Sequence, residues 1–266
     1  ARTDGASAAD MGAPSLDSLI AKIRASAAKD RSMAQALANA SGAITAATAA
    51  SPPPPRYTPL SLTFVSYVQG DRVGKLAALV TLTPIFAHIA LGSWILARRE
   101  LHAAGLFVGS VLNTALCVAI KTQVRQQRPA GATLHDYGMP SNHAQTTTFL
   151  SLYGVLLLWH GCTVRHALFW KPALTAAAAL LTVAVAASRV YLGEHTMAQV
   201  TVGSLVGGAS AIVWYLFYCQ LLRPALIPWL EHPVMRYFYV RDNSKVADVM
   251  QHEYTAHRAA LQTKAR

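Results

Sequence analysis

Ala103-Ala-Gly-Leu-Phe-Val-Gly-Ser-Val-Leu-Asn-Thr-Ala-Leu-Cys-Val-Ala-Ile120 is an apolar run that passes without a breaker into Lys121-Thr-Gln-Val-Arg-Gln-Gln-Arg128-Pro129. Its length suits a helix crossing a bilayer, which takes about 20 residues. The polar continuation predicts that the helix extends past the hydrocarbon to Gln127. Lys121 and Arg128 would then lie close to two turns apart on one face. Pro129 stops the helix and pushes Arg128 out of helical geometry. By itself this segment is also an ordinary basic end to a span. Ionisable groups beside hydrocarbon are nevertheless costly, and they are read by default as functional.

Working outward, apolar runs recur from Leu76 to Ala97 (with Pro84 and His88 inside), from Pro140-Ser141-Asn142-His143 to Trp159, from Pro172 to Ala187 and from Val200 to Leu222. With the first, they make about five spans and predict an all-α, multi-pass transmembrane helical bundle. Asn113 and Thr114 suit interhelical hydrogen bonds, and Gly203, Gly207 and Gly208 suit close helix packing. His88 reads as packed against a neighbouring helix. The composition agrees, with 53% of the 266 residues hydrophobic and only 13% charged. A net charge of +11 raises the question of nucleic acid. No basic run is interleaved with aromatics, however, which argues against it. The cations sit at the ends of apolar runs, where they suit anionic lipid headgroups. Cys117, Cys162 and Cys219 lack paired spacing and read as small apolar residues rather than a disulfide or metal framework.

Residues 1–56 are rich in Ala and Ser and close on Pro52-Pro53-Pro54-Pro55, so a poorly ordered arm is expected. It would carry one short amphipathic helix through Leu16, Leu19, Ile20 and Ile23. An organelle-targeting segment is the sharper reading; Asp4, Asp10, Asp17 and Asp30 speak against it, and the chain begins at Ala1 rather than Met. Residues 57–222 form the expected membrane core. Residues 223–266 are a basic tail, first interfacial (Trp229, Tyr237, Phe238, Tyr239), then helical from about Asp242-Asn243-Ser244.

The other two polar stretches are Pro140-Ser141-Asn142-His143 and Ser188-Arg189 through Glu194-His195 to Gln199. The first opens a helix, where Ser141 can cap free N–H groups and an anion can dock. His195 and Gln199, four apart, share a face. With about five spans, all three stretches fall on one membrane side and the tail on the other. The tail's side is the more basic and is expected to face cytosol or stroma, leaving the site toward a lumen or exoplasmic-like space.

From Lys121 to Gln199 the only acids are Asp136 and Glu194, too few for a two-metal phosphatase. Position 199 is Gln, so Glu194-His195 lacks the second His of a zinc helix. No metal and no cofactor are therefore expected. Lys121, Arg128 and Arg189 suit a phosphoryl group. Two histidines then suffice: one attacks phosphorus, the other protonates the leaving oxygen and later activates water. The nucleophile must be neutral and oriented through its other ring nitrogen, a role for Gln199. Glu194 reads as a solvated rim residue, and His135 and Asp136 as loop residues near the entrance.

These stretches resemble the three-part signature of the type 2 phosphatidate phosphatase superfamily: K-x6-R-P as Lys121/Arg128/Pro129, P-S-x-H as Pro140/Ser141/His143, and S-R-x5-H-x3-D as Ser188/Arg189/His195. The match covers roughly residues 60–222. It implies that His195 is the nucleophile, that His143 is the acid–base, and that Lys121, Arg128, Ser141 and Arg189, with Asn142 beside them, bind phosphate. One position departs, since Gln199 stands where the pattern has Asp. Ser-Arg-Val-Tyr-Leu…His-Thr…Gln-Val, Met-Pro-Ser-x-His-x-Gln and Phe238-Tyr239-Val240-x-Asp242 resemble dolichyl diphosphatases and equally the gamma-type lipid phosphate phosphatases of plant plastids. The resemblance implies a membrane hydrolase acting on a lipid phosphate or diphosphate, in endoplasmic reticulum or plastid envelope. Vanadate-dependent haloperoxidases share the anion site but are soluble. A non-catalytic scaffold has no reason to keep both histidines and all three cations. The oligomeric state is not legible.

Overall fold

A computed structural model describes residues 16–50, 57–60, 65–134, 136–161, 167–246 and 248–264. The chain divides into two compact units, Ala1–Pro55 and Arg56–Arg266. In the first, α1 (Leu16–Ala50) is a single helix of 35 residues. It runs well beyond the short helix expected from Leu16 to Ile23, and its abundant alanine, the best helix former, supplies the local reason. The proline run that follows lies outside the described residues.

The second unit opens with a short antiparallel pair, β1 (Tyr57–Leu60) and β2 (Val65–Val68), in which Tyr57 faces Val68. Helices then follow: α2 (Arg72–Thr81), α3 (Thr83–Arg98), α4 (Leu101–Val124), α5 (Asn142–His160), α6 (Ala167–Tyr191) and α7 (Met197–Phe217). The first apolar run is thus two helices with a break at Leu82, and Pro84 sits in the first turn of α3, where a missing N–H costs nothing. Beyond α7 the chain continues through a π-helical turn (Tyr218–Leu222), α8 (Arg223–Leu226) and a 3₁₀ turn (Ile227–Glu231). Two further helices, α9 (Pro233–Tyr237) and α10 (Val249–Lys264), belong to the tail.

Among the described residues, four helical stretches are long and apolar enough to cross a membrane: Arg72–Arg98, Leu101–Val124, Ala167–Tyr191 and Met197–Glu231. The expected third span, α5, is not one of them. Its first two turns carry Asn142, His143, Gln145, Thr146, Thr147 and Thr148, and it packs against α4, α6 and α7. Lipid does not select for an apolar helix where protein surrounds it. Buried Gln145 shows how the polarity is met, donating to the Asn113 carbonyl at 2.8 Å and to Asn113 Oδ1 at 3.0 Å. The fold is therefore an all-α, multi-pass bundle in which α5, polar over its first two turns, packs among the other helices.

Glycine sets how closely α7 lies on α5. A methyl group on Gly207 would stand 2.1 Å from the Gln145 carbonyl oxygen, and one on Gly203 would stand 2.7 Å from that of Ser141. Gly208 meets nothing nearer than 3.8 Å, so the close packing expected of all three falls on two. This approach brings the starts of α5 and α7 together. Elsewhere His88 links α3 to α4 through Ser110 Oγ at 3.0 Å. Cys117 is buried and Cys219 half-buried, both free thiols; Cys162 lies outside the described residues.

The tail is tied to the α3–α4 corner. Leu101 N–H donates to the Arg241 carbonyl at 2.9 Å, and Arg241 N–H donates to that of Arg99 at 3.0 Å. Arg98 and Arg241 both pair with Glu253. The helix expected from Asp242 begins only at Val249, because Asp242 and its neighbours are otherwise engaged. Asp242 Oδ2 accepts from Arg223 Nε and Nη2 at 3.0 and 2.9 Å, and Asn243 N–H reaches Glu100 Oε1 at 3.4 Å. The tail thus packs at the end of α4 opposite Lys121.

Candidate active site

Helix α4 stops at Val124, three residues short of the expected end. Arg125 turns into the left-handed region (φ 51°) while its N–H still bonds the Lys121 carbonyl at 3.0 Å. Arg128 therefore shares no helical face with Lys121. The two converge all the same, on the carboxylate of Asp136: Lys121 Nζ donates to Oδ2 and Arg128 Nε to Oδ1, each at 2.7 Å. The early stop frees two carbonyls. Gln126 O accepts from Gly138 N–H at 2.7 Å, and Gln127 O accepts from Gln199 Nε2 at 2.9 Å.

The second stretch starts α5. Ser141 occupies the N-cap position, but its hydroxyl caps nothing: Oγ is buried and has no protein partner. Ser141 N–H donates to the Gln199 carbonyl at 3.1 Å, which fixes the start of α5 on that of α7. Asn142 Oδ1 accepts from Thr146 Oγ1 at 3.3 Å, within its own helix. His143, in the first turn, lies in the electrostatic field of Arg189, His195, Arg128 and Lys121.

The third stretch is a tight turn between α6 and α7. Gly193 takes φ 71°, and the N–H groups of Glu194 and His195 both bond the Arg189 carbonyl, at 3.1 and 3.2 Å. Arg189 is buried in the last turn of α6, its Nη1 reaching Thr81 Oγ1 at 3.5 Å while Nε has no partner. Thr81, itself fully buried, also pairs with Ser188 Oγ at 2.9 Å. Arg128 Nη1 donates to the Glu194 carbonyl at 3.0 Å and to His195 Nε2 at 2.9 Å. The cations and His195 thus meet at one end of the bundle.

Glu194 overturns its sequence reading. It is only 6% exposed, not a solvated rim residue. Oε2 lies 3.5 Å from Arg128 Nη1 and 3.8 Å from Arg189 Nη2, while Oε1 accepts from Thr133 N–H at 3.3 Å and from the Thr133 hydroxyl. A carboxylate next to a histidine and near two arginines was the available clue. Thr81 and Thr133 gave none, being remote in sequence from the residues they serve. His135 lies outside the described residues.

Three groups outside the four candidate spans titrate far from their ordinary values: His195, Asp136 and His143, the last pushed down to about 3 by burial and then by the charges of Arg189, His195, Arg128 and Lys121. Burial, then the charges of Arg128 and Arg189, push His195 down to about 3, against a raising influence from its Gln199 hydrogen bond. Its imidazole is therefore neutral at physiological pH. Burial would raise Asp136, but the hydrogen bonds and charges of Arg128 and Lys121 outweigh it and hold the carboxyl at about 2. The site thus has three cations against two carboxylates. It also contains two buried donors without partners, Ser141 Oγ and Arg189 Nε. Orphaned buried donors are costly, and an oxyanion would satisfy both. Among the described residues no three His, Cys, Asp or Glu side chains cluster as metal ligands.

A membrane-crossing helical bundle with a cationic cup and a neutral imidazole at one end defines a class, the integral-membrane proteins with a polar anion site. Comparison with known proteins narrows it. Residues 102–223 match the model of the PAP2 superfamily. Dolichyldiphosphatase 1 of Homo sapiens is 34% identical over 222 residues, 80% of this chain and 93% of that protein. Lipid phosphate phosphatase gamma of Arabidopsis thaliana is 35% identical over 224 residues, 78% of this chain and 94% of that protein. A solved structure, the transmembrane PAP2 type phosphatidylglycerolphosphate phosphatase from Bacillus subtilis, is 18% identical with a TM-score of 0.48, covering 56% of this chain and 78% of that one. The chain belongs to the PAP2 superfamily and is an integral-membrane hydrolase.

Proposed function

We propose that this membrane lipid phosphatase removes phosphate from a polyisoprenyl diphosphate, such as dolichyl diphosphate, through a phosphohistidine intermediate and without a metal ion. The observation that carries the reading is the setting of His195. Nδ1 lies 3.2 Å from Gln199 Oε1, and Nε2 lies in the cationic cup, 2.9 Å from Arg128 Nη1. Arg128 can only donate, so Nε2 carries the lone pair and Nδ1 the proton. That lone pair attacks the terminal phosphorus as the bond to the bridging oxygen breaks, and His143, which takes up a proton once the anionic diphosphate offsets the charges of Arg189, Arg128 and Lys121 around it, gives that oxygen the proton. The neutral His143 then takes a proton from water, whose oxygen attacks phosphorus and releases phosphate from His195. Lys121, Arg128, Arg189 and Ser141 hold the phosphoryl oxygens throughout, with Asn142 beside them.

The dolichyldiphosphatase relatives favour this substrate. The endoplasmic reticulum, with the site on the lumenal side away from the basic tail, completes that reading. The Arabidopsis relative, at the same level of identity, favours a second reading: phosphatidate or another lipid phosphate in plastid membranes, by the same chemistry. Purified protein is expected to release phosphate in excess chelator, with a higher kcat/KM for dolichyl diphosphate than for phosphatidate at equal mole fraction in one detergent. Loss of activity in chelator would remove the metal-free mechanism, and the opposite preference would move the function to the second reading.

Asp136 bears on the same site. Its carboxylate takes the Lys121 and Arg128 hydrogen bonds that a phosphoryl group needs, and at about 2 its pKa keeps it ionised at any working pH. Substrate therefore has to displace it. Asp136→Asn is expected to lower the inhibition constant of inorganic phosphate several-fold, as competition for two charge-assisted hydrogen bonds is relieved. An inhibition constant that stays the same or rises would show that Asp136 supports the site instead.

A further inference from the structure

The Gln199 side chain makes four hydrogen bonds, and two of them settle which way its amide points. Thr196 N–H can only donate and lies 3.2 Å from Oε1; the Gln127 carbonyl can only accept and lies 2.9 Å from Nε2. The oxygen therefore faces His195 Nδ1, independently of any assumption about the histidine proton. On the other side of the amide, Gln126 Oε1 accepts from Nε2 at 3.1 Å. The fourth wall is Gly138. A methyl group there would stand 2.6 Å from Gln199 Nε2, 2.7 Å from Oε1 and 2.8 Å from Cδ, and its N–H is tied to the Gln126 carbonyl at 2.7 Å. A loop segment remote in sequence thus closes over one amide.

We propose that Gln126 and Gly138 are positioning residues for His195, acting through Gln199: Gln126 supplies an acceptor that holds the amide's N–H side, and Gly138 supplies the space in which the amide lies flat. The proposal rests on the reading of His195 as nucleophile. It gives the glutamine at 199 a physical meaning. A carboxylate there would present lone pairs to the Gln127 carbonyl, which only an N–H can satisfy. The residues at 126 and 199 must therefore match, donor to acceptor.

The matching makes the test a cycle rather than a deletion. Gln126→Leu is expected to lower kcat about fivefold or more with KM little changed, the loss of one hydrogen bond in a fixed network. Gln126→Glu, which keeps an acceptor, is expected to restore kcat; Gln126 is exposed, so neither change disturbs packing. In a Gln199→Glu background the order reverses. The native Gln126 can turn its amide to donate, whereas the carboxylate introduced by Gln126→Glu faces a second carboxylate. The Gln126→Glu/Gln199→Glu double variant therefore falls well below the product of the two single effects. Gly138→Ala is expected to lower kcat more than either single change at 126, since the pinned amide must move. Additive effects in the cycle, or equal kcat for Gln126→Leu and Gln126→Glu, would overturn the proposal.

A readout independent of turnover separates this from a failure of the proposed activity. The imidazole ¹⁵N shifts of His195, assigned by difference from His195→Ala, should show a proton on Nδ1 in the wild type and mixed tautomers in Gln126→Leu and Gly138→Ala. Unchanged shifts in both variants would count against the clamp even if the enzyme hydrolyses nothing offered to it.

Discussion

Replacing His195 by alanine is expected to abolish phosphate release, by at least about a thousandfold in kcat, while leaving phosphate binding largely intact. The separation follows from the geometry. The groups proposed to face the phosphate are Lys121, Arg128, Arg189 and Ser141, and each is anchored independently of the imidazole: Lys121 on α4, Arg189 beside Thr81 and Glu194, and Ser141 by its backbone bond to Gln199. Only Arg128 loses a partner, and it keeps the Glu194 carbonyl at 3.0 Å. The measurements are steady-state release from dolichyl diphosphate and acid-labile, base-stable labelling from a ³²P-labelled substrate. Wild type should carry the label transiently and His195→Ala none. His143→Ala should differ in kind. With an activated leaving group that needs no proton, label should accumulate on His195, because the group that activates water is gone. Labelling or turnover that survives in His195→Ala would end the phosphohistidine mechanism.

What could be foreseen in the chain was its apolar lengths and its polar interruptions, because hydrophobic period and span length are local properties. The bundle, the end of the first apolar run near Ala97 and the placing of the three polar stretches at one end of the bundle followed from them. What was not legible depended on partners remote in sequence. α5 falls short of the apolar character of a span because the other helices surround it, which no window of its own sequence reveals. The helix expected to reach Gln127 stops at Val124, and no breaker announces it; the carbonyls of Gln126 and Gln127 are claimed by Gly138 and Gln199 from far along the chain. Glu194 looked like a rim residue because a charge is normally solvated, yet Thr133 and the two arginines offset its burial. The Thr196-x-x-Gln199 pattern was a local signal that the sequence reading passed over, since a Thr at the N-cap with a Gln three residues on forms a capping box. That box is part of what holds the Gln199 amide.

Gln199 carries the second large effect, and its two informative substitutions separate orientation from charge. Leucine is close to glutamine in volume but makes none of the four hydrogen bonds. His195 Nδ1–H, Thr196 N–H and the Gln127 carbonyl all lose their partner, so the imidazole is free to rotate and to carry its proton on Nε2, where no lone pair remains for phosphorus. A loss of about a hundredfold or more in kcat is expected, toward the roughly ten-thousandfold loss that follows when a catalytic histidine is held in the wrong tautomer. Aspartate is one methylene shorter. It can still accept from Nδ1–H, and it stabilises the cationic imidazole formed during phosphoryl transfer better than an amide does, but it offers the Gln127 carbonyl no donor. Gln199→Asp is therefore expected to keep measurable activity, below wild type and well above Gln199→Leu. The order is checked by kcat for the three proteins on one lipid substrate, with phosphate inhibition constants to confirm that the cup is unchanged. If aspartate and leucine turned over alike, the amide would have no orienting role, and the hydrogen bond at 3.2 Å would be a packing contact only. If aspartate exceeded the wild type, charge rather than orientation would limit the reaction, and the donor-to-acceptor match around position 199 would have to be given up.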